Sequence, residues 1–377
     1  MESRHAVIAG AGLGGLATAV ALHRRGWRIT VLERAAVLKE VGAAISLWPN
    51  AVRALELLGV GDEVRAAGSI EAAAGFRDAA GRWLFRSDIA SIDKLYGQTL
   101  MIRRPDLLDI LKSAVPSGAV TLGAEIDHVE SAGREVTVVH GSGEVTAELL
   151  VGADGIRSTV RTQLWPDAKP PEYAGYTTWR FVTPPLHLET AASESWGRGE
   201  RVGIFPLADG SIYSYLTAST PPGIEYADNL AELRRRFGHW HDPIPTMLDS
   251  IVATDVLRHD IYRLPPLPRY VTDRAALVGD AAHAMTPDFG QGGGTALEDA
   301  VELAEALDQA PDIRAALQAY DERRRNRTQP IARQSALFGV FAQSSGLLTA
   351  PLRNMAARLV PPSIMIRSLR PILTWHD

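Results

Sequence analysis

Residues 5–10, His-Ala-Val-Ile-Ala-Gly, are a short apolar run ending in glycine and predict a buried strand. From Leu13 to Arg25 the apolar positions Leu16, Val20 and Leu22 recur at helical spacing among alanines, and Gly26 stops the run. Arg28 to Glu33 predicts a second strand, so residues 5–33 read as a βαβ unit. Asn50–Leu58 reads as an amphipathic helix, and Phe76–Phe85 as a hairpin about Asp78-Ala-Ala-Gly81. Pro105–Val115 reads as a helix with proline in its first turn. Three strands fit between Val120 and Leu150, with Gly141-Ser-Gly143 turning between two of them. Beyond Gly175 the period changes. Gly175–Val182, Arg201–Phe205 and Ser211–Thr217 alternate in character between prolines and glycines, the pattern of an antiparallel sheet. A helix over Leu230–Trp240 follows, then a buried strand over Arg274–Gly279 and a long helix from Gly294 to Leu307. A last helix, Asp312–Arg327, ends in an arginine cluster that reads as a solvated helix end. No internal repeat is found. The pattern describes a discontinuous α/β body over residues 1–75, 98–174 and 266–330, a sheet-rich unit over 76–97 and 175–265, and a helical segment over 331–377.

Composition narrows the class. With 377 residues, 46% hydrophobic and 22% charged, the chain is ordinary globular material with room for two to three domains. Its formal charge of −5 argues against broad attraction to nucleic acid or anionic lipid. Cysteine is absent, which removes disulfides, thiolate metal sites and cysteine nucleophiles. The start of the chain, Met1–His5, lacks the features of a cleavable leader. The uncharged stretch Gln334–Leu352 is broken by Gln343, Ser344, Ser345, Gly346 and Pro351, which argues against a membrane span. Arg353, Arg358, Arg367 and Arg370, set among apolar residues, read as helix packed on the body rather than on a membrane surface. A cytoplasmic protein is expected. The ten histidines show no metal-ligand spacing, and no nucleophile elbow or P-loop is present.

The candidate chemistry lies in glycine turns. Gly10-Ala-Gly12-Leu-Gly14-Gly15 follows the first strand and opens the first helix. Gly10 permits the tight turn, Gly12 lets backbone approach a pyrophosphate, and Gly15 allows close packing at a helix N-terminus. Glu33 ends the second strand 18 residues after Gly15, where a carboxylate accepts from ribose hydroxyls. This motif alone does not separate FAD from NAD. Two further turns follow strands: Val151-Gly-Ala-Asp154-Gly155, and Val278-Gly279-Asp280-Ala281-Ala282-His283, the latter succeeded by Pro287 and Gly290-Gln291-Gly292-Gly293-Gly294. A long ligand needs its far end held, and backbone N–H groups at Gly290–Gly294 suit negative charge on a reduced ring.

In order, and over nearly the whole chain, these motifs resemble those of the single-component FAD-dependent aromatic hydroxylases, the p-hydroxybenzoate hydroxylase-like flavoprotein monooxygenases. Arg104-Pro-Asp106-Leu107 and the Tyr320–Arg327 stretch belong to the same likeness. The last glycine run is similar to the branch of urate hydroxylases, salicylate hydroxylase-like enzymes and zeaxanthin epoxidases, with Gly294 standing where many relatives carry asparagine or cysteine. The resemblance implies a Rossmann-like FAD-binding domain with an inserted antiparallel-sheet substrate domain and C-terminal helices. Gly10, Gly12, Gly14 and Gly15 would hold the pyrophosphate, with Glu33 and Arg34 at the adenosine end. Arg104 would contact the ribityl–phosphate region, Asp154 would serve FAD and NAD(P)H, and Asp280 would bind the ribityl chain. Pro287, Gly290, Gly292, Gly293 and Gly294 would line the isoalloxazine. NADH or NADPH would visit transiently. The implied reaction is hydroxylation of a small aromatic or heteroaromatic ring by O2 through a flavin C4a-hydroperoxide. Epoxidation, N-oxidation, reduction of a prenyl chain and a non-catalytic escort role are the competing readings.

Period-two geometry places Arg201, Gly203 and Phe205 on one face, Tyr213, Tyr215 and Thr217 on one face of the next strand, and Tyr176, Thr178 and Arg180 together. An aromatic wall with one arginine suits a flat acidic or anionic ring, although tyrosine also simply favours strands. Arg201 and Tyr213 resemble the substrate-positioning arginine and tyrosine of urate hydroxylases, with Tyr176, Phe205, Tyr215 and Pro287 completing the expected pocket. His283 reads as a structural residue of its turn, and Asp299 as a charge near a helix start.

Overall fold

A computed structural model describes residues 4–38, 44–70 and 73–376; Met1–Ser3 and Asp377, which the sequence reading includes in its end segments, lie outside them. The βαβ unit forms as the pattern predicts. His5–Ala9 is wholly buried and pairs in parallel with Arg28–Glu33 on one side and Leu149–Gly152 on the other. Ala275–Leu277 and Val120–Leu122 complete a five-stranded parallel sheet as its two edges. Helix Leu13–His23 lies between this sheet and helix Gly292–Gln309, the buried alanines of both allowing close approach. His5–Ala9 thus pairs with a strand more than 130 residues further on, which in turn pairs with Ala275–Leu277, and the α/β body is discontinuous in sequence.

A seven-stranded sheet stands beside it, ordered Leu257–Arg263, Glu172–Val182, Ile212–Ala218, Glu200–Pro206, Ser193–Trp196, Ala73–Asp78 and Trp83–Asp88. It is antiparallel except where Ser193–Trp196 meets Ala73–Asp78. The register sets Arg201 opposite Thr217, Gly203 opposite Tyr215, Phe205 opposite Tyr213, and Arg180 opposite Tyr215 on the other side. The faces inferred from alternation are therefore those of the sheet. Its far face is closed by a second core in which Trp179, Phe181, Val202 and Leu216 pack on helices Asn229–Phe237 and Ile244–Asp249.

Three features differ from the sequence expectations. Where three strands were expected between Val120 and Leu150, four form ahead of Leu149–Gly152: Val120–Leu122, and then Ile126–Ala132, Glu135–His140 and Gly143–Ala147 as a separate antiparallel sheet. A small sheet of Ala44–Leu47, Leu100–Arg103 and Ser69–Ile70, and a helix over Ile89–Tyr96, arise where no periodicity was legible, because the segments are short. The helix expected to stop at Arg327 runs from Ile313 to Ala342 through Pro330. Arg324, Thr328, Ile331, Ser335, Gly339 and Ala342 recur at three- and four-residue spacing along its buried face, and that packing outweighs the proline. Helices Thr349–Leu359 and Pro362–Leu373 follow. No helix among the described residues is long and apolar enough to cross a membrane.

Candidate functional site

The first glycine turn is built by steric need. Gly10 has φ +98° and donates to Leu32 O at 2.7 Å; a Cβ there would lie 2.6 Å from Ala153 O. A Cβ on Gly15 would collide with Gly10 O, and one on Gly14 would touch Ala296 Cβ at 3.4 Å. Gly12 faces open space, so its backbone and the first N–H groups of the helix are bare to a ligand. Glu33 braces the turn, its carboxyl accepting from Ala11 N at 2.7 Å and from Ala35 N at 2.9 Å, with Arg34 exposed beside it. Asp154 lies against Gly10; one carboxyl oxygen accepts from Val160 N at 3.1 Å, and the other is buried without a hydrogen-bond partner. Arg104 opens helix Arg104–Ser113 and its charge acts on Tyr213 and His259 of the antiparallel sheet.

The second glycine-rich turn converges on the first. Gly279 has φ +57°, and the exposed Asp280 opens the short helix Asp280–His283. Gly290, at φ +62°, turns the chain into helix Gly292–Gln309. A Cβ on Gly293 would lie 2.5 Å from Ile45 Cδ1 and 3.9 Å from Leu13 Cδ1, and one on Gly294 would lie 3.2 Å from Asn50 Nδ2. Gly292, like Gly12, is open, with only Asp280 Oδ1 as near as 4.0 Å. Two helix N-termini with bare glycines therefore meet in one cleft, with the Asp154 and Asp280 carboxyls beside them. That arrangement fits an elongated ligand with a pyrophosphate, several hydroxyls and an electron-accepting ring.

Beneath this turn lies a buried ion network that corrects the sequence reading of Asp299 and of the arginine cluster. Asp299 accepts from Gly279 N at 2.7 Å and Arg324 Nε at 2.5 Å, with His283 Nε2 at 2.6 Å. Glu298 accepts from Asn50 Nδ2, Arg324 and Arg327 at 2.6 to 2.8 Å. Arg324 is wholly buried, and Arg327 also caps the carbonyls of Pro371, Ile372 and Thr374. These side chains are structural counter-ions, not a cap charge and a solvated helix end. The error arose because helical periodicity shows the face of a residue but not the acids brought to it from another helix. Burial alone would raise the Asp299 carboxyl; His283 and Arg324 outweigh it and hold it down at about 2.

Above the cleft the sheet presents a polar cluster. Arg201, 2% exposed, is held from three sides: Nη2 lies 2.8 Å from Asp288 Oδ1, Nη1 3.3 Å from Glu194 Oε1, and Nε donates to Gln343 Oε1 at 2.7 Å. Tyr176 donates to Asp288 Oδ2 at 2.9 Å and faces the guanidinium with its ring at 5.3 Å. Tyr215 donates to Glu194, and Trp196 Nε1 donates to the same carboxyl at 2.5 Å. Burial, then the Asp288 and Glu194 carboxyls, push the Tyr176 and Tyr215 hydroxyls well above the usual phenol range. Burial disfavours the charged Arg201, but Glu194 and Asp288 outweigh it and hold the proton on. Tyr213 stands apart, with Phe205 at 6.0 Å and Arg180 as its cation; burial raises its hydroxyl and Arg180 opposes the rise.

Of the expected pair, then, Arg201 sits at the centre, and Tyr215 rather than Tyr213 shares its network. Glu194, Asp288 and Gln343 were missed. Asp288 stands within the Pro287–Gly290 stretch already singled out, and Gly203, a glycine inside a strand, signals the close passage of the Tyr215 ring. Nothing in the sequence marks Gln343 as a partner of Arg201, since the helix that ends just before it was expected to stop earlier.

A cofactor cradle at the carboxyl ends of parallel strands, roofed by an aromatic and ion-paired sheet, defines a dinucleotide-dependent oxidoreductase. Comparison with known proteins agrees. Residues 4–191 and 263–335 match the model of a family described as an FAD binding domain. The chain is 36% identical over 360 residues to the aurachin C monooxygenase/isomerase of Stigmatella aurantiaca, covering 94% of each. It is 33% identical over 335 residues to an FAD-dependent urate hydroxylase of Klebsiella pneumoniae, covering 86% of this chain and 87% of that one. The crystal structure of Klebsiella pneumoniae HpxO complexed with FAD and uric acid superposes with a TM-score of 0.90 at 28% identity, covering 98% of this chain and 96% of that one. The chain belongs to this FAD-binding family of aromatic hydroxylase-like monooxygenases, and it is a flavin monooxygenase.

Proposed function

We propose that this protein uses NADH or NADPH and O2 to hydroxylate a small heteroaromatic ring that is neutral and carries ring N–H or O–H donors. FAD supplies the redox chemistry with dioxygen that no side chain provides. Gly12 and the helix start at Leu13 hold its pyrophosphate, Glu33 and Arg34 attend the adenosine end, and Asp154 and Asp280 take hydroxyls. Arg104 reaches the ribityl–phosphate region, and Gly290, Gly292, Gly293 and Gly294 line the ring with Pro287. The observation that carries the substrate reading is the double pairing of Arg201 with Glu194 and Asp288. A carboxylate substrate would compete with two built-in partners for one guanidinium, whereas ring N–H groups find acceptors there. Phe205, Tyr213 and Tyr215, with ring centroids 5.8 to 6.4 Å apart, supply an aromatic wall and exclude water. Tyr176 and Gln343 keep Arg201 and Asp288 in place.

The test is a screen of the FAD-loaded enzyme for acceleration of NAD(P)H oxidation, with peroxide release measured alongside. Neutral lactam-type rings such as quinolones and purines are expected to stimulate oxidation without releasing peroxide. Stimulation by benzoates and salicylates alone would overturn the substrate reading.

A further inference from the structure

The end of the chain has two apolar sides. Its inner side is used: Ala342 and Ala357 join Leu84 and Trp196 in one small core, and Arg353 donates to Ala342 O at 2.6 Å and Gly197 O at 2.8 Å. The outer side is not. On the last turns of helix Ile313–Ala342, Leu337, Val340 and Phe341 share a face by i, i+3, i+4 spacing and are exposed. On helix Thr349–Leu359, Leu352, Met355 and Leu359 share a face by i, i+3, i+7 spacing and are also exposed. Between the helices, Leu347 and Leu348 are 75% and 78% exposed. Arg353 ties the start of the second helix to the end of the first through the Ala342 and Ser344 carbonyls, so both exposed faces flank the Leu347–Leu348 turn, and clustered exposed apolar residues of this kind mark an interaction site.

Charge selects the occupant. Residues 323–376 contain no aspartate or glutamate and nine arginines. With Asp377, the segment from 323 onward carries a formal +8 while residues 1–322 carry −13, which together give the −5 of the chain. Arg323, Arg324, Arg325 and Arg327 are consumed by acids of the body, but Arg333, Arg358, Arg367 and Arg370 are exposed. Of these, Arg358 reaches only Asp78, at 3.6 Å. A second copy of the chain laid on this surface would set arginine against arginine, with only the Asp78 carboxyl beside Arg358 to offset them. Arg333, one turn before Leu337, and Arg358, next to Leu359, stand on the same two helices as the exposed leucines, so a plane of lipid phosphates would meet these arginines and accept the leucines, while the acidic body would be repelled and so oriented away.

We propose that the end of helix Ile313–Ala342, the 343–348 turn and helix Thr349–Leu359 dock peripherally on an anionic lipid surface. Leucines enter the headgroup–acyl boundary and arginines meet the phosphates. The proposal stands independently of the substrate reading and reverses the sequence expectation for this segment, because the net charge of the whole chain hides its basic end. It places the bilayer one side chain from the polar cluster, because Gln343, in that turn, is the residue bonded to Arg201.

The test is flotation of the FAD-loaded protein with vesicles of phosphatidylcholine, with and without phosphatidylglycerol. The protein is expected to float with the anionic vesicles and to release as salt rises. Leu348→Glu combined with Leu352→Glu is expected to lower binding at least about tenfold with flavin content and melting temperature unchanged. Arg333→Ser with Arg358→Ser is expected to remove the preference for anionic lipid. Absence of flotation, salt-independent binding to neutral vesicles, or a dimer dissociated by the leucine substitutions would each overturn it.

Discussion

Asp299 shows how much a single residue bears. It fastens the Gly279 N–H, the His283 ring and the Arg324 guanidinium at one buried point beneath the cofactor turn. Its folded-state value, about 2 against 3.8 for the free group, is depressed, so its contribution to stability is complete above pH 4 and is lost as pH falls from about 4 to about 2. The shift corresponds to about 2 kcal/mol. Asp299→Asn leaves Arg324 buried with less compensation and is expected to cost about 3–5 kcal/mol at neutral pH. It is also expected to flatten the acid limb of the stability curve. Urea unfolding of both proteins between pH 2 and 7 measures this. Equal acid limbs would show that Asp299 is not the group responsible. None of this was legible from the sequence, where Glu298-Asp299 and Arg323–Arg327 lie about 25 residues apart on separate helices. The glycines were legible, because a positive φ or a forbidden Cβ leaves only one residue type, as at Gly10 and Gly290.

At the scale of elements, the site depends on how one helix passes one turn. Gly339 on helix Ile313–Ala342 lies directly against the carboxyl of Asp288, and a Cβ there would collide with Oδ2. Gly339→Ala is expected to displace Asp288, and with it Arg201 and Tyr176, while leaving the glycine cradle intact. Overpacking of this kind costs about 1–3 kcal/mol. The expected result is normal FAD content with substrate-stimulated turnover reduced about tenfold or more. Unchanged turnover would detach Asp288 from the reaction. Strand faces were readable from period-two alternation, which is why Arg201, Phe205, Tyr213 and Tyr215 were placed on the correct side of the sheet. Helix length was not. Pro330 and the arginines read as a stop, while the packing that carries the helix on to Ala342 comes from residues far away in sequence.

Across the whole molecule, the order of motifs along the chain foretold an α/β body interrupted by an antiparallel sheet, because each glycine turn follows its own parallel strand. What sequence could not foretell was the meeting of the Pro287–Gly290 turn with the roof, through Asp288 to Arg201, which joins the two halves of the site across about 87 residues. Under the proposed function, oxygen is delivered to a ring held between cofactor and roof. The most direct measurement is turnover under 18O2 with NAD(P)H and an accepted ring. Incorporation of a single labelled oxygen atom into the product for each NAD(P)H consumed is predicted. Unlabelled product, or oxidation of NAD(P)H that yields only peroxide with every ring offered, would contradict the account.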